Sequence, residues 1–249
     1  MTNLLDVIAA NDEAVSLKVL SADTGLHPST AFRILASLSD QGFVARDSAG
    51  YYCLGAKLLQ LGARVYARID LRREAKAVIE WLRNEVGETA NFVVQQGDEV
   101  VYLDRATTTR MMRVEQVIGS RAPLHVTAVG KLMLADGGLE ACSGYARRTG
   151  LPAYTPNTIT DLDTLLNVAR ASLERGFALD QEEAERGVGC VGVVARDSSG
   201  GVAAGLSISF PIERYSTDWI PQVIEAGRRL SAQLGYAAKG TSAGVPATG

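Results

Sequence analysis

The stretch Gly25-Leu26-His27-Pro28-Ser29-Thr30-Ala31-Phe32-Arg33-Ile34-Leu35 decides how the chain is read. Gly25 supplies a turn. After it, apolar side chains recur at Ala31, Ile34, Leu35 and Leu38, the spacing of one helical face, and Thr30, Arg33 and Ser37 fall on the others. Upstream, Ser16 is placed to cap a helix carrying Leu17, Val19 and Leu20 up to Gly25, and Leu4 to Ala9 suggests a helix before that. Downstream, Phe43 to Arg46 and Tyr51 to Leu54 flank Asp47-Ser48-Ala49-Gly50, residues that tolerate the positive φ angles a hairpin needs. Helix, tight turn, helix and small hairpin make a winged helix-turn-helix over residues 1–55. Ser29 and Thr30 stand at a helix N-terminus, where N–H groups and short hydroxyls can hold phosphate, and Arg33 can reach a base edge or a phosphate. The plainer alternative is a helical hairpin that Ser29 merely caps.

From Ala56 to about Val86 the pattern is helical, with a break expected near Asp70: a linker helix over 56–70, then the first helix of a second domain spanning 71–236. Asn91 to Gln96 and Val100 to Arg105 alternate around Gly97-Asp98 as a β-hairpin, and a further strand is expected at Met112 to Val117. A helix should run from Thr127 to Ala135, and another should open at Thr160 as N-cap and stop at Gly176. Cys190 to Arg196 and Val202 to Phe210 read as long strands joined by a Ser-Ser-Gly-Gly turn, followed by a helix from Trp219 to Leu234 and a small-residue tail, 237–249, expected to be disordered. Antiparallel hairpins with separated helices give an α+β fold class.

The 249 residues, 47% of them hydrophobic, suffice for two cores. No run of eighteen apolar residues is present, and the first residues carry acids where a signal peptide would carry basic groups, so neither a membrane span nor export is expected, and the location inferred is cytoplasmic. Cys53, Cys142 and Cys190 are odd in number and far apart, which suits free thiols. With two histidines and no CxxC, no metal or cofactor is expected. A net charge of −3 argues against a protein that coats nucleic acid nonspecifically. Residues 1–55 hold only Lys18, Arg33 and Arg46 against six acids, so a DNA-binding head would rely on few charges and on dimerisation.

Three segments, LHPSTAFRILASLSDQGFVARDSAGYYCLGAKLLQLG, APLHVTAVGKLMLA and GFALDQEEAERGVGCVGVVARDSSGGVAAGLSISFP, together resemble the IclR family of bacterial transcription regulators, in that family's order and spacing. The resemblance runs from about Leu4 to Tyr236. It implies a winged helix-turn-helix, a linker helix that dimerises the heads, a GAF-like effector domain, and dimers that pair into tetramers. The partners implied are double-stranded operator DNA and a small organic effector, a carboxylate or aromatic acid. The DNA-contacting set is then His27, Ser29, Thr30 and Arg33 around the second helix of the motif, with Arg46 and Tyr51 on the wing. Two departures lower the expected phosphate affinity: Tyr51 stands where the family commonly has a basic residue, and His27 or Pro28 where it often has lysine. The chain also opens almost at its first helix, so no upstream arm is expected to add contacts.

For the effector, the resemblance points to Thr127, Ala128 and Val129, whose backbone N–H groups at a helix start can receive a carboxylate. Asp180, Val188 and Cys190 match further pocket positions, and Ser207 and Ser209 share one face of the strand that would floor it. Cys190 also reads as a small buried hydrophobe, Asp180 as a solvated residue opening an acidic run, and His125 as packing behind the pocket helix. Gly187 to Gly192 fits GxGxxG, but it follows an acidic loop and enters a strand, which is the wrong context for a dinucleotide. Cys190, His125 and Asp180 supply the residue types of a nucleophile, base and orienter without any nucleophile-elbow motif. The alternatives to a ligand-responsive regulator are therefore a constitutive DNA-binding protein with a vestigial sensor, and a cysteine-dependent enzyme.

Overall fold

Four helices start at a short polar side chain and end at a glycine. Ser16 accepts from the Val19 amide at 3.3 Å, Asp70 from Arg72 at 3.1 Å, Thr127 from Gly130 at 3.1 Å and Asp161 from Thr164 at 2.8 Å. Gly25, at φ +67, closes its helix in the left-handed conformation that a side chain disfavours. The computed structural model describes residues 2–66 and 70–237, and the chain divides into two compact units at Asp70. The expected tail lies, but for Ala237, outside the described residues.

The first unit comprises α1 (Thr2–Ala9), α2 (Leu17–Thr24), α3 (Pro28–Asp40), the antiparallel pair β1 (Val44–Arg46) and β2 (Tyr52–Leu54), and α4 (Ala56–Tyr66). Leu4, Ile8, Val15, Leu20, Ala31, Leu35, Leu38, Val44 and Tyr52 form its core, and Val15 bridges to Tyr52, tying the hairpin to the helices. On α4, Leu59 and Leu61 remain 78% and 40% exposed.

The second unit opens with α5 (Leu71–Val86). It continues through β3 (Thr89–Gln96), β4 (Glu99–Ala106), β5 (Arg121–Pro123), α6 (Ala128–Asp136), α7 (Gly138–Thr149), α8 (Leu162–Arg175), β6 (Ala178–Gln181), β7 (Val188–Arg196), β8 (Val202–Pro211) and α9 (Ile220–Gln233). The strands form an antiparallel sheet in the order β5-β4-β3-β8-β7-β6. Helices α5 and α9 pack against one face, and α6, backed by α8, against the other. Register sorts the side chains: Phe92, Leu206 and Val193 form one cross-strand row, and Gly227 of α9 sits against Val193, so this row faces α9. The adjacent row, Val93, Gly205 and Val194, turns to α6, where Gly205 meets Val129.

Two expectations need correction, and two elements were not expected. Met112 to Val117 is not a strand; the edge strand is Arg121–Pro123, and the earlier segment has its carbonyls engaged by arginine side chains, Arg214 at Met112 (3.0 Å) and Arg105 at Gln116. Asp161, not Thr160, caps α8. Helix α7 and strand β6 escape sequence reading, α7 because Gly144 and charged residues dilute its periodicity and β6 because four residues ending in an acidic run give no alternation to count. The GxGxxG glycines lead into and lie within β7: Gly189 lies against the Phe210 ring and Gly192 against Val129.

A Cβ at Gly192 would stand 2.9 Å from the Val129 backbone nitrogen, and one at Gly205 would stand 2.0 Å from Val129 Cγ1. Gly192→Ala is expected to lower unfolding free energy by about 1–3 kcal/mol, because α6 must lift off the sheet. Urea denaturation checks this; an unchanged midpoint would mean the helix has slack.

Candidate functional site

On the first unit, α3 begins at Pro28 with His27 as N-cap. The His27 ring Nδ1 lies 2.8 Å from Ser29 Oγ and 3.4 Å from the Ser29 amide, so imidazole and hydroxyl hold each other at the helix mouth. Ser29, Thr30 and Arg33 are exposed, and Arg33 has no ion pair among the described residues. On the wing, Asp47 Oδ1 accepts from the Ala49 and Tyr51 amides, both at 2.9 Å, fixing the turn. Arg46 lies along this hairpin: its Nε donates to the Gly50 carbonyl at 3.3 Å and its guanidinium sits 5.4 Å from the Tyr52 ring centroid. Tyr51 is exposed. The structure therefore puts Ser29, Thr30 and Arg33 on one exposed helix, and Arg46 and Tyr51 on an exposed hairpin of the same unit.

In the second unit, a cavity of about 10 Å³ lies between the start of α6 and the sheet, lined by Val93, Val100, Tyr102, Thr127, Ala128, Val129, Cys190 and Ser207. That is room for about one water. Five of the eight residues expected at an effector pocket line it, and the other three adjoin it. Ser209 Oγ is 3.2 Å from Cys190 Sγ, Asp180 pairs with Cys190 in register, and Val188 packs with Ala128 and Leu132. Asp180 is 3% exposed, so it is not the solvated residue of the alternative reading. Its Oδ1 accepts from the Glu183 amide at 2.8 Å, and the acidic run folds inward: Thr158 Oγ1 donates to the Glu183 carbonyl at 2.7 Å, and the Glu183 carboxylate pairs with Lys131 of α6.

Sequence reasoning missed Val93, Val100, Tyr102, Asn91 and the Lys131–Glu183 pair. Asn91 is fully buried, its Nδ2 donates to Ser209 Oγ at 3.0 Å, and its Oδ1 finds no partner among the described residues. The alternation of Asn91 with Val93 on β3 was the available signal; their partners, Ser207 and Gly205, are more than a hundred residues away.

Burial sets the electrostatics. It pushes the Cys190 thiol and the Tyr102 hydroxyl well above their usual ranges, and each is raised further by the Asp180 charge. Burial likewise raises Asp180 to about 6, despite the opposing hydrogen bond from the Glu183 amide and the charge of Lys131. Cys190 is thus a neutral thiol. His125 does not serve it: Nδ1 lies 2.7 Å from the Tyr145 hydroxyl and Nε2 3.1 Å from the Pro152 carbonyl, in a separate hollow of about 310 Å³. The nucleophile, base and orienter of the enzymatic alternative are not assembled.

An exposed helix at the end of a helix-turn-helix, joined in sequence to a unit with a small cavity of mixed polar and apolar lining, is the arrangement expected of a DNA-binding transcriptional regulator. The IclR helix-turn-helix domain matches residues 2–48, and the bacterial transcriptional regulator IclR C-terminal domain matches residues 63–236. The chain belongs to the IclR family of bacterial transcriptional regulators. It is 33% identical over 230 residues to the HTH-type transcriptional regulator KdgR of Escherichia coli (strain K12), covering 90% of this chain and 88% of that protein. To the HTH-type transcriptional regulator KipR of Bacillus subtilis (strain 168) it is 31% identical over 227 residues, covering 90% and 91%. The crystal structure of Thermotoga maritima IclR superimposes with a TM-score of 0.64 at 30% identity, covering 94% of this chain and 97% of that one. No helix among the described residues is long and apolar enough to cross a membrane.

A carboxyl whose folded pKa is raised binds more protons in the native than in the unfolded chain, so it costs stability as pH rises through about 4 to 6. The full penalty, up to about 3 kcal/mol for a shift of roughly two units, applies above that window and vanishes below it. Asp180→Asn removes it. The stability of the variant relative to the native sequence is expected to be more favourable at pH 8 than at pH 4.5, measured by urea denaturation at both. Parallel pH profiles would contradict a buried, high-pKa carboxyl.

Proposed function

We propose that the protein is a ligand-responsive regulator: residues 1–55 bind operator DNA through His27, Ser29, Thr30, Arg33, Arg46 and Tyr51, and residues 71–236 bind a small organic effector that shifts that affinity. The observation that carries the sensor is the cavity under α6. Three of its walls are residues at the mouth of that helix, Thr127, Ala128 and Val129, and the polar row Asp180, Cys190 and Ser209 lies beside it, with Asn91 offering an unused acceptor. Helix-start N–H groups receive a carboxylate, while Ser207, Ser209 and Asn91 offer hydrogen bonds to its substituents. The exposed leucines of α4, which lies within the expected linker 56–70, suit the pairing of two heads, which doubles each DNA contact in a homodimer and, with a second pair, in a dimer of dimers. The working location is the cytoplasm, where DNA and metabolites meet.

One observation favours a second reading, a constitutive DNA-binding protein with a vestigial sensor. A cavity that holds about one water fits a sensor that has lost its ligand as well as one that opens to receive it.

Fluorescence anisotropy of the full chain on DNA from its upstream intergenic region, at fixed salt, with and without a panel of small organic acids, separates the two. A ligand-responsive regulator binds specifically and one acid shifts the affinity, by about 5- to 150-fold for a typical coupling. Specific binding unmoved by every acid supports the vestigial sensor. Arg33→Ala is expected to weaken specific binding about tenfold or more and to flatten its salt dependence if the contact is to phosphate. Ala128→Phe is expected to abolish the acid response and leave DNA binding intact; loss of both would make Ala128 a packing residue only.

A further inference from the structure

Helix α3 carries Ser29, Phe32, Arg33 and Ala36 at i, i+3, i+4 and i+7, a contiguous stripe along one side, and all four are exposed. The core of the unit takes Ala31, Leu35 and Leu38 from the same helix and leaves Phe32 at 45% exposure. Of the aromatics around the helix-turn-helix and its hairpin, Tyr52 is buried, Phe43 is half-buried against the core, and Tyr51 stands on the wing. A phenyl ring on the same stripe as a hydroxyl and a guanidinium without an ion pair among the described residues has no use for a phosphate. The surroundings nonetheless suit a polyanion, with Arg33 beside the ring and the N-terminus of a thirteen-residue helix one turn away. Double-stranded DNA offers both features at once, phosphates at the groove edge and, on the floor of the major groove, one apolar group, the C5-methyl of thymine.

We propose that Phe32 is a specificity-determining residue that packs on a thymine methyl in the major groove, next to the base or phosphate held by Arg33, so that each operator half-site carries an obligatory thymine. This rests on the reading of α3 as the helix that enters the groove. Ala36, one turn on, leaves space beside the ring for the neighbouring base pair. The contact adds specificity without charge, as a head with so few basic residues requires.

Replacing thymine by deoxyuridine removes only the methyl. High-affinity sites are selected from a random duplex pool with the full-length protein. Each thymine is then exchanged singly for deoxyuridine, and affinity is measured by anisotropy at fixed salt for the native sequence and for Phe32→Ala. The expected result is one thymine per half-site whose exchange weakens native binding about fourfold, the worth of one buried methyl, and roughly 15-fold when both half-sites are changed. Phe32→Ala binds more weakly and no longer responds at that position. The proposal is overturned if no thymine exchange affects the native protein, or if Phe32→Ala keeps the same sensitivity at every position, which would leave the ring free for a protein partner instead. Should Phe32→Ala lose its helical circular dichroism, Phe32→Leu replaces it, with a reduced but nonzero response expected at the same thymine. If Arg33→Ala abolishes selection while Phe32 is indifferent, this inference alone fails; if the native protein selects no sequence at all, the assignment of α3 fails with it.

Discussion

The second unit depends on how closely α6 lies on the sheet. Gly192 and Gly205, diagonal neighbours on the paired strands β7 and β8, have no side chains where Val129 presses in, and every residue from Ala128 to Ala135 is buried between the sheet and α8. A helix buried on all sides cannot let a lysine reach solvent, so Lys131, with 1% of its side chain exposed, needs an internal counter-charge. Glu183 supplies it, and to do so the acidic segment after β6 folds inward, held by Thr155 and Thr158 on its carbonyls. Asp180, near the end of β6 just before that segment, is set beside Cys190 by the β6–β7 register, and burial raises its pKa. Two missing side chains thus lead, step by step, to the buried ion pair under α6.

This chain of consequences explains what the sequence could and could not disclose. The winged helix-turn-helix was legible because each of its signals is local: Ser16 and Gly25 delimit α2, Ala31, Leu35 and Leu38 mark a face, and Asp47 to Gly50 make a turn. The start of α6 was legible for the same reason. The far wall of the cavity was not, because Val93, Val100 and Tyr102 arrive through the β3–β8 pairing, whose register no local pattern encodes. The acidic run 181–185 read as surface, since the lysine that turns it inward lies 52 residues from Glu183. The segment at Met112 to Val117 reads as a strand, yet arginine side chains take the Met112 and Gln116 carbonyls and the Ser120 amide takes that of Val117, with no neighbouring strand among the described residues.

The first unit shows a different economy. Few basic groups face outward, and two of the expected contacts are already engaged: His27 holds Ser29, and Arg46 lies along its own hairpin. Such preorganisation reduces the entropy lost on binding, but it leaves little electrostatic attraction per head. Affinity must then come from repetition of the head and from contacts that read bases rather than phosphates. The exposed leucines of α4 are consistent with the first, and the exposed ring on α3 with the second.

The charge state of the cavity constrains what can act there. Lys131 is neutralised by Glu183, so among the described residues no free cation faces the cavity, and three acidic groups, Asp180, Tyr102 and Cys190, are all pushed toward their neutral forms. A second negative charge placed beside Asp180 would raise that pKa further, because two carboxylates in one low-dielectric site do not both ionise. A carboxylate effector would therefore be admitted together with a proton on Asp180, its own charge directed to the N–H groups at the mouth of α6. Entry also has to enlarge a space now fit for about one water, and α6, wedged over two glycines, cannot approach the sheet any further. On the proposed sensor reading, the displacement would fall on the Asp180 side, on the loop that Glu183 anchors, with the buried ion pair as its fulcrum.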